Sequence, residues 1–218
     1  MALAIFDLDN TLLAGDSDYL WGVFLSEQGV VDRDQYEREN RRFYEDYLAG
    51  RLDIYEWLRF SLRPLRENDP ERLFRLRERF MRETIEPLIS KAALDLIQKH
   101  RRAGDVAMII TATNSFITRP IAERLDIEHL IATEPEVLAG RFTGEVIGTP
   151  TFREGKVKRL EAWLHEEGQD LRGSHFYSDS HNDLPLLERV DHPVAVDPDE
   201  TLATIARERD WPILPLHS

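Results

Sequence analysis

The sequence predicts an α/β fold in which a doubly wound parallel sheet carries an inserted bundle of helices. Three observations predict it. An apolar run from Ala2 to Phe6 stands near the start of the chain and stops on Asp7, then again on Asp9, as a central strand buried on both faces does. Helical patterning follows, with no strand pattern between residues 14 and 89, which reads as a bundle. From residue 90 onward strand and helix patterns alternate, the order of a parallel α/β domain. The expected division is a core of residues 1–13 and 90–218, with residues 14–89 as a separate helical domain.

Taken in order, the first helix is expected after the caps Asp16-Ser17-Asp18 and ends at Gly29, with Leu20, Trp21, Val23, Phe24 and Leu25 on its apolar face. Asp32 with Gln35 resembles a capping box for a second helix closed by Gly50. Asp53 with Glu56 starts a third, which Pro64 is expected to end. Asp69-Pro70-Glu71 opens a fourth through Met81. The aromatic residues of this bundle are expected to form its core, and runs such as Arg72 to Arg82 to be solvated faces.

The α/β part follows. Lys91 to Arg102 is an amphipathic helix stopped by Gly104, and Asp105 to Thr111 a buried strand ending on a hydroxyl. Ser115 to Leu125 is a helix with Pro120 as a kink, His129 to Thr133 a short strand, and Val137 to Ile147 a hairpin turning at Ala139-Gly140. Gly155 to Glu166 is a helix, Ser174 to Ser178 a strand ending on Asp179, and His192 to Val196 the last core strand. Asp199 caps a final helix to Arg209.

Composition narrows the chemistry. The chain has 218 residues, 42% hydrophobic and 32% charged, in the range of a globular protein with one large core and a satellite. A net charge of -13 opposes nucleic-acid binding. No run is long enough to span a bilayer and no signal-like segment leads the sequence, so no membrane partner and a cytoplasmic location are expected. The absence of cysteine removes disulfides, thiolate metal sites and cysteine nucleophiles. Any metal must be held by oxygen or histidine.

Side chains two apart share a face of an extended strand, so Asp7 and Asp9 emerge together if that geometry continues past the apolar run. Two buried anions side by side ask for a cation between them. Other strand ends and loops carry complementary groups: Thr111, Lys156, and Asp179 with Asn182 and Asp183. The carboxyl ends of strands in an open parallel sheet line one crevice, where ligands bind. One site can gather all of them. His175 and His181 lack a second histidine at ligand spacing, so packing roles are expected for them in preference to zinc.

Asp7-Leu-Asp9-Asn-Thr11, a strand ending on Thr111, Gly155-Lys156, and Ser178-Asp179-Ser-His-Asn182-Asp183 resemble, in order, the four motifs of the haloacid dehalogenase superfamily. The helical insertion is similar to that superfamily's C1-type cap on a Rossmann-like core. With Gly15-Asp-Ser-Asp18 and Ile110-Thr-Ala-Thr113, the chain looks like the subclass of phosphoserine phosphatases and histidinol-phosphatase-like hydrolases. The resemblance implies a Mg2+-dependent phosphomonoesterase acting on a small phosphorylated metabolite. In it Asp7 attacks phosphorus to form an aspartyl phosphate, and Asp9 protonates the leaving alkoxide and then activates water. Mg2+ is held by Asp7, the carbonyl of Asp9, and Asp179. Thr111 and the backbone N–H of Ala112 bind phosphate, Lys156 stabilises Asp7 and the phosphoryl charge, and Asn182 and Asp183 orient the ligands.

The resemblance also bears on the substrate. Asp16 occupies the position at which phosphoserine enzymes place an acid on the substrate amine. Their carboxylate-binding arginine falls on Ser61 here, with Arg59 and Arg63 as neighbouring candidates. An amino-alcohol phosphate such as histidinol phosphate uses Asp16 without needing that arginine; phosphoserine is the alternative. Two other classes share parts of the pattern. A receiver-like phosphate sensor places its acids on different strands and lacks a helical insertion. A phosphoryl transferase, or a binding protein on this fold, differs in whether water reaches the intermediate.

Overall fold

The structure is a computed structural model that describes residues 2–217. Strand β1 (Leu3–Phe6) leads into helices α1 (Ser17–Glu27), α2 (Arg33–Leu48), α3 (Ile54–Ser61), α4 (Arg63–Glu67) and α5 (Pro70–Phe80). Next come α6 (Lys91–Ala103), β2 (Val106–Asn114), α7 (Ser115–Arg124), β3 (His129–Leu138) and β4 (Arg141–Ile147). The chain continues through α8 (Glu154–Glu167), β5 (His175–Ser178), α9 (Leu184–Leu187), β6 (His192–Val196), α10 (Glu200–Glu208) and β7 (Ile213–Leu214).

Within the described residues the sheet has seven strands in the order β4-β3-β2-β1-β5-β6-β7. All neighbours are parallel except β3 and β4. β1 is central, and its side chains alternate between two cores. Ala4 and Phe6 face the layer of α1, α5, α6 and α7; Leu3 and Ile5 face the layer that includes α8, α9 and α10. No helix among the described residues is long and apolar enough to cross a membrane.

The predicted starts of α1, α2, α3, α5, α6 and α10 hold because each has a side chain for its orphan N–H groups. Asp16, Asp32, Asp53, Asp69, Ser90 and Asp199 all accept backbone N–H bonds at helix N-termini. The third predicted helix is divided. It ends at Ser61, and Pro64 lies in the first turn of α4, where a missing N–H costs nothing. β2 continues past Thr111 to Asn114, shifting register against β3 on the way. β3 outruns its expected end because it exchanges its parallel partner β2 for the antiparallel partner β4. β7 adds a short strand beyond β6.

The inserted helices are shared between two cores. Trp21 of α1 stacks edge-on against Phe80 of α5 at 5.2 Å and reaches Phe116 of α7 at 5.9 Å, so α1 and α5 belong to the sheet-side core. Tyr36, Phe43 and Phe60 form a separate small core between α2 and α3.

Candidate active site

Sheet order assembles the site. Phe6 pairs with Ile109 on one side and Tyr177 on the other. Asp7, Thr111 and Asp179 therefore follow within two residues at the carboxyl ends of three adjacent strands. Asp7 and Asp9 line one cavity together with Thr111, Ala112, Lys156, Asn182 and Asp183. β1 stops at Phe6, so a turn and not extended strand brings Asp9 there, with Asn10 in the left-handed region at φ 55°.

The floor of the cavity is an ion-pair triad. Lys156 Nζ donates to Asp7 Oδ1 and to Asp183 Oδ2, both at 2.8 Å. Ser178 Oγ also donates to Asp183 Oδ2, at 2.7 Å. Asp7, Lys156 and Asp183 are all buried, whereas Lys158 is exposed. Gly155 precedes the lysine because a Cβ there would stand 2.0 Å from the Pro150 carbonyl oxygen. Burial works against the ammonium, but the Asp183 and Asp7 charges outweigh it and push its pKa up.

Asp9 is held differently. Its Oδ1 accepts from the Ser17 N–H at 2.7 Å and its Oδ2 from Thr113 Oγ1 at 2.8 Å. Thr111 Oγ1 accepts from the Thr113 N–H at 3.2 Å. Thr11 Oγ1 donates to Asp179 Oδ1 at 3.2 Å and accepts the Asp179 N–H at 3.1 Å.

Burial pushes the Asp7 carboxyl up to about 7 against the opposing charge of Lys156, with Asp183 and Asp9 adding to the rise. Burial, then the charge of Asp16, pushes Asp9 up to about 6. Asp179 is raised well above the carboxylate range by burial and by Asp7 and Asp183. One lysine thus faces four acids. That surplus fits a hard divalent cation, and the donors are all oxygen: His181, the nearest histidine in sequence, is bonded through Nδ1 to Asp199 at 2.8 Å. Among the described residues no three acidic or histidine side chains converge on a metal position. A set of two carboxylates and a main-chain carbonyl, with waters, meets the octahedral demand of Mg2+ without a third side chain.

The inserted helices supply the rest of the cavity wall. Tyr19, Asn40, Phe43, Tyr44, Tyr47 and Trp57 line it, with Asp16 and Asp18 among them. The expectation that these aromatics are bundle core is corrected for most of them: Phe43 serves both roles, and Tyr44 and Tyr47 face the cavity. Their signal is the spacing 40, 43, 44, 47, one face of α2. Asp16 caps α1 through Oδ1 and also lines the cavity, and burial raises its pKa. Asp18 is raised further by burial, Asp16 and Asp9.

Arg59 and Arg63 are not among the lining residues. Arg59 is exposed, and Arg63 lies 5.8 Å over the Phe60 ring. The reason is helical phase: α3 turns Leu58, Phe60 and Ser61 inward and Arg59 to solvent. Another arginine carries a role that the sequence reading missed. Arg153 donates to Asn182 Oδ1 from Nε at 3.0 Å and from Nη2 at 2.8 Å, and to the Gly50 carbonyl. Asn182 Nδ2 donates to the Tyr47 carbonyl at 3.1 Å. Arg153 and Asn182 thereby clasp the end of α2 to the rim of the sheet. Arg153 holds φ 50°, a strained conformation that these bonds over-determine.

A sheet of this order with paired acids, hydroxyl, lysine and acid at its carboxyl edge defines a phosphate-handling α/β hydrolase. A family model of haloacid dehalogenase-like hydrolases matches residues 4–188, and the chain belongs to that family. It is 46% identical over 216 residues to a histidinol-phosphatase of Neisseria meningitidis serogroup C, covering 97% of both chains. A Bordetella pertussis crystal structure of a protein with unknown function superposes with TM-score 0.93 at 45% identity, over 99% of this chain and 98% of that one. A substrate-bound phosphoserine phosphatase complex shares the fold, with TM-score 0.74, 20% identity and 99% and 93% coverage. The protein is a phosphatase of this hydrolase family.

Proposed function

We propose that the protein hydrolyses the phosphate ester of a small amino alcohol such as histidinol phosphate, with Mg2+, through an aspartyl phosphate on Asp7. Residues 14–89 act as a cap over the core of 1–13 and 90–218. The observation that carries the reading is the buried Asp7–Lys156–Asp183 triad in a cavity that Asp16 and Asp18 also line. The triad, with its metal, suits a phosphate, and the two aspartates an ammonium.

Asp7 and Asp179, with the carbonyl of Asp9, would hold Mg2+, which when bound neutralises phosphate charge and holds the Asp7 carboxylate ionised. Lys156 orients Asp7 Oδ1, leaving the second oxygen to form the O–P bond as the P–O bond to the alcohol breaks. Thr111 and the N–H of Ala112 hold the phosphate oxygens. Asp9 carries the proton: burial raises its pKa to about 6, so it donates to the departing alkoxide and then withdraws a proton from the water that cleaves the acyl phosphate.

Within the described residues no arginine lines the cavity, so a substrate carboxylate meets acids and aromatics there. This favours an amino alcohol over phosphoserine. The relative named histidinol-phosphatase, at 46% identity, supports the same choice. The test is phosphate release with Mg2+ from histidinol phosphate, phosphoserine, sugar phosphates and nucleotides, beside Asp7→Asn and a chelator control. Preferred turnover of histidinol phosphate, lost in both controls, is expected. Preference for phosphoserine, or activity that survives Asp7→Asn, refutes the reading.

A further inference from the structure

The cavity is also lined by Asp18, Asn40, Phe43 and Trp57, on α1, α2 and α3. None of these has a part in moving the phosphoryl group, and the two polar ones keep acceptor capacity. Trp57 Nε1 donates to Asp18 Oδ2 at 3.1 Å, which uses one of the two carboxylate oxygens. Asn40 is 2% exposed. Its Nδ2 donates to the Tyr19 carbonyl at 3.1 Å, while its Oδ1 has no hydrogen-bond partner among the described residues. That bond to Tyr19 also fixes which way the amide points. Buried acceptors are costly to leave unmet, and one lining a ligand cavity points to a donor that arrives with the ligand.

The walls say what shape that donor has. The Phe43 and Trp57 rings stand 5.2 Å apart at 69°, an aromatic corner that accepts a flat group. Tyr19 and Tyr44, 5.4 Å apart, extend the same surface. An aliphatic ammonium would satisfy the acids but leave this corner unfilled.

We infer that Asp18 and Asn40 form a specificity subsite for a planar nitrogen heterocycle with N–H donors, packed against Phe43 and Trp57. This rests on the reading of the site as an amino-alcohol phosphatase and divides its acids: Asp16 takes the amine and Asp18 the ring. A protonated imidazole meets the demand, being flat, cationic and a donor at both nitrogens. Substrates without such a ring leave the second carboxylate oxygen of Asp18 and Asn40 Oδ1 without a donor, and the site rejects them on that account.

The discriminating pair is histidinol phosphate and phenylalaninol phosphate, which keeps the ester, the amine and a flat ring but has no ring N–H. Wild-type kcat/KM is expected to favour histidinol phosphate by about 100-fold or more. Asp18→Asn is expected to shrink that ratio at least tenfold, mainly through KM, and Asn40→Leu to shrink it in the same direction. A second readout is calorimetric binding of the dephosphorylated products, histidinol against phenylalaninol, to wild type and variants whose melting curves show a folded protein. The difference in affinity is expected to narrow with the same variants. If Asp18→Asn does not fold, Trp57→Phe removes the indole N–H that orients Asp18 and carries the test. A ratio near one in wild type, or a ratio unmoved by these variants while histidinol phosphate remains the preferred substrate, overturns the subsite alone. Preference for phosphoserine over histidinol phosphate in wild type overturns the underlying reading as well.

Discussion

Lys156→Met keeps most of the side chain's length and removes its ammonium. In the native protein that ammonium lies 2.8 Å from both Asp7 Oδ1 and Asp183 Oδ2, and the three residues are 3%, 5% and 4% exposed, lysine first. Removing one partner of a buried ion pair costs about 3–5 kcal/mol, because the remaining charge is left unpaired in a poor solvent for ions. Here one lysine serves two carboxylates, so the loss belongs near the upper figure. For a chain of this length each kcal/mol moves Tm by about 2–4 °C, which gives a fall of about 10–20 °C near neutral pH.

The loss must depend on pH, with a definite sign. Burial already raises Asp7 to about 7, and loss of the lysine raises it further. A carboxyl whose folded pKa exceeds its unfolded value destabilises the fold when ionised and is relieved as it takes up a proton. The deficit is therefore largest at about pH 8 and shrinks toward about pH 5. The assay is thermal unfolding of wild type and Lys156→Met at both pH values in chelator. A variant within about 2 °C of wild type at the higher pH, or an equal deficit at both, would show that Lys156 does not hold the triad together.

Two further predictions concern the acids. Asp9→Asn keeps an acceptor for the Ser17 N–H but carries no transferable proton, so kcat for an alkyl phosphate is expected to fall about 10²–10⁴-fold with little change in Tm. The fall should be smaller for p-nitrophenyl phosphate, whose leaving group needs no proton, and equal losses on both esters would remove Asp9 from that role. Because burial holds Asp7 at about 7, Asp9 at about 6 and Asp179 raised, the metal-free protein is expected to lose stability as pH rises from about 4 through about 7. Excess Mg2+ binds the ionised carboxylates and so should raise Tm more at about pH 8 than at about pH 5, measured by scanning calorimetry; equal increments would count against a site at these residues.

Much of the fold was readable because its signals are local. An apolar strand that ends on acids, aspartates before α1, α2, α3, α5 and α10, and Gly104 after α6 all act within a few residues of themselves. Gly155 before Lys156 is of the same kind, since its missing Cβ answers a carbonyl five residues earlier. Boundaries that depended on a distant partner were not readable. β2 and β3 outran their expected ends because their neighbours continued to offer hydrogen bonds. Pro64 opened a helix instead of closing one, because the chain had already turned at Leu62.

The site divides along the same line. Sequence alone determined which groups meet at the carboxyl edge of the sheet, because the strand order carries the acids and the hydroxyl at strand ends there and Lys156 stands in the first turn of α8 beside them. Only the tertiary structure decided what the rest of the cavity wall contains. A helix presents each residue according to its rotation about the axis, and neighbouring helices fix that rotation through side chains far away in sequence. That rotation sent Arg59 to solvent and turned Tyr44, Tyr47 and Asn40 into the cavity that the acids also line. It also brought Arg153, separated by 103 positions from Gly50, onto the end of α2.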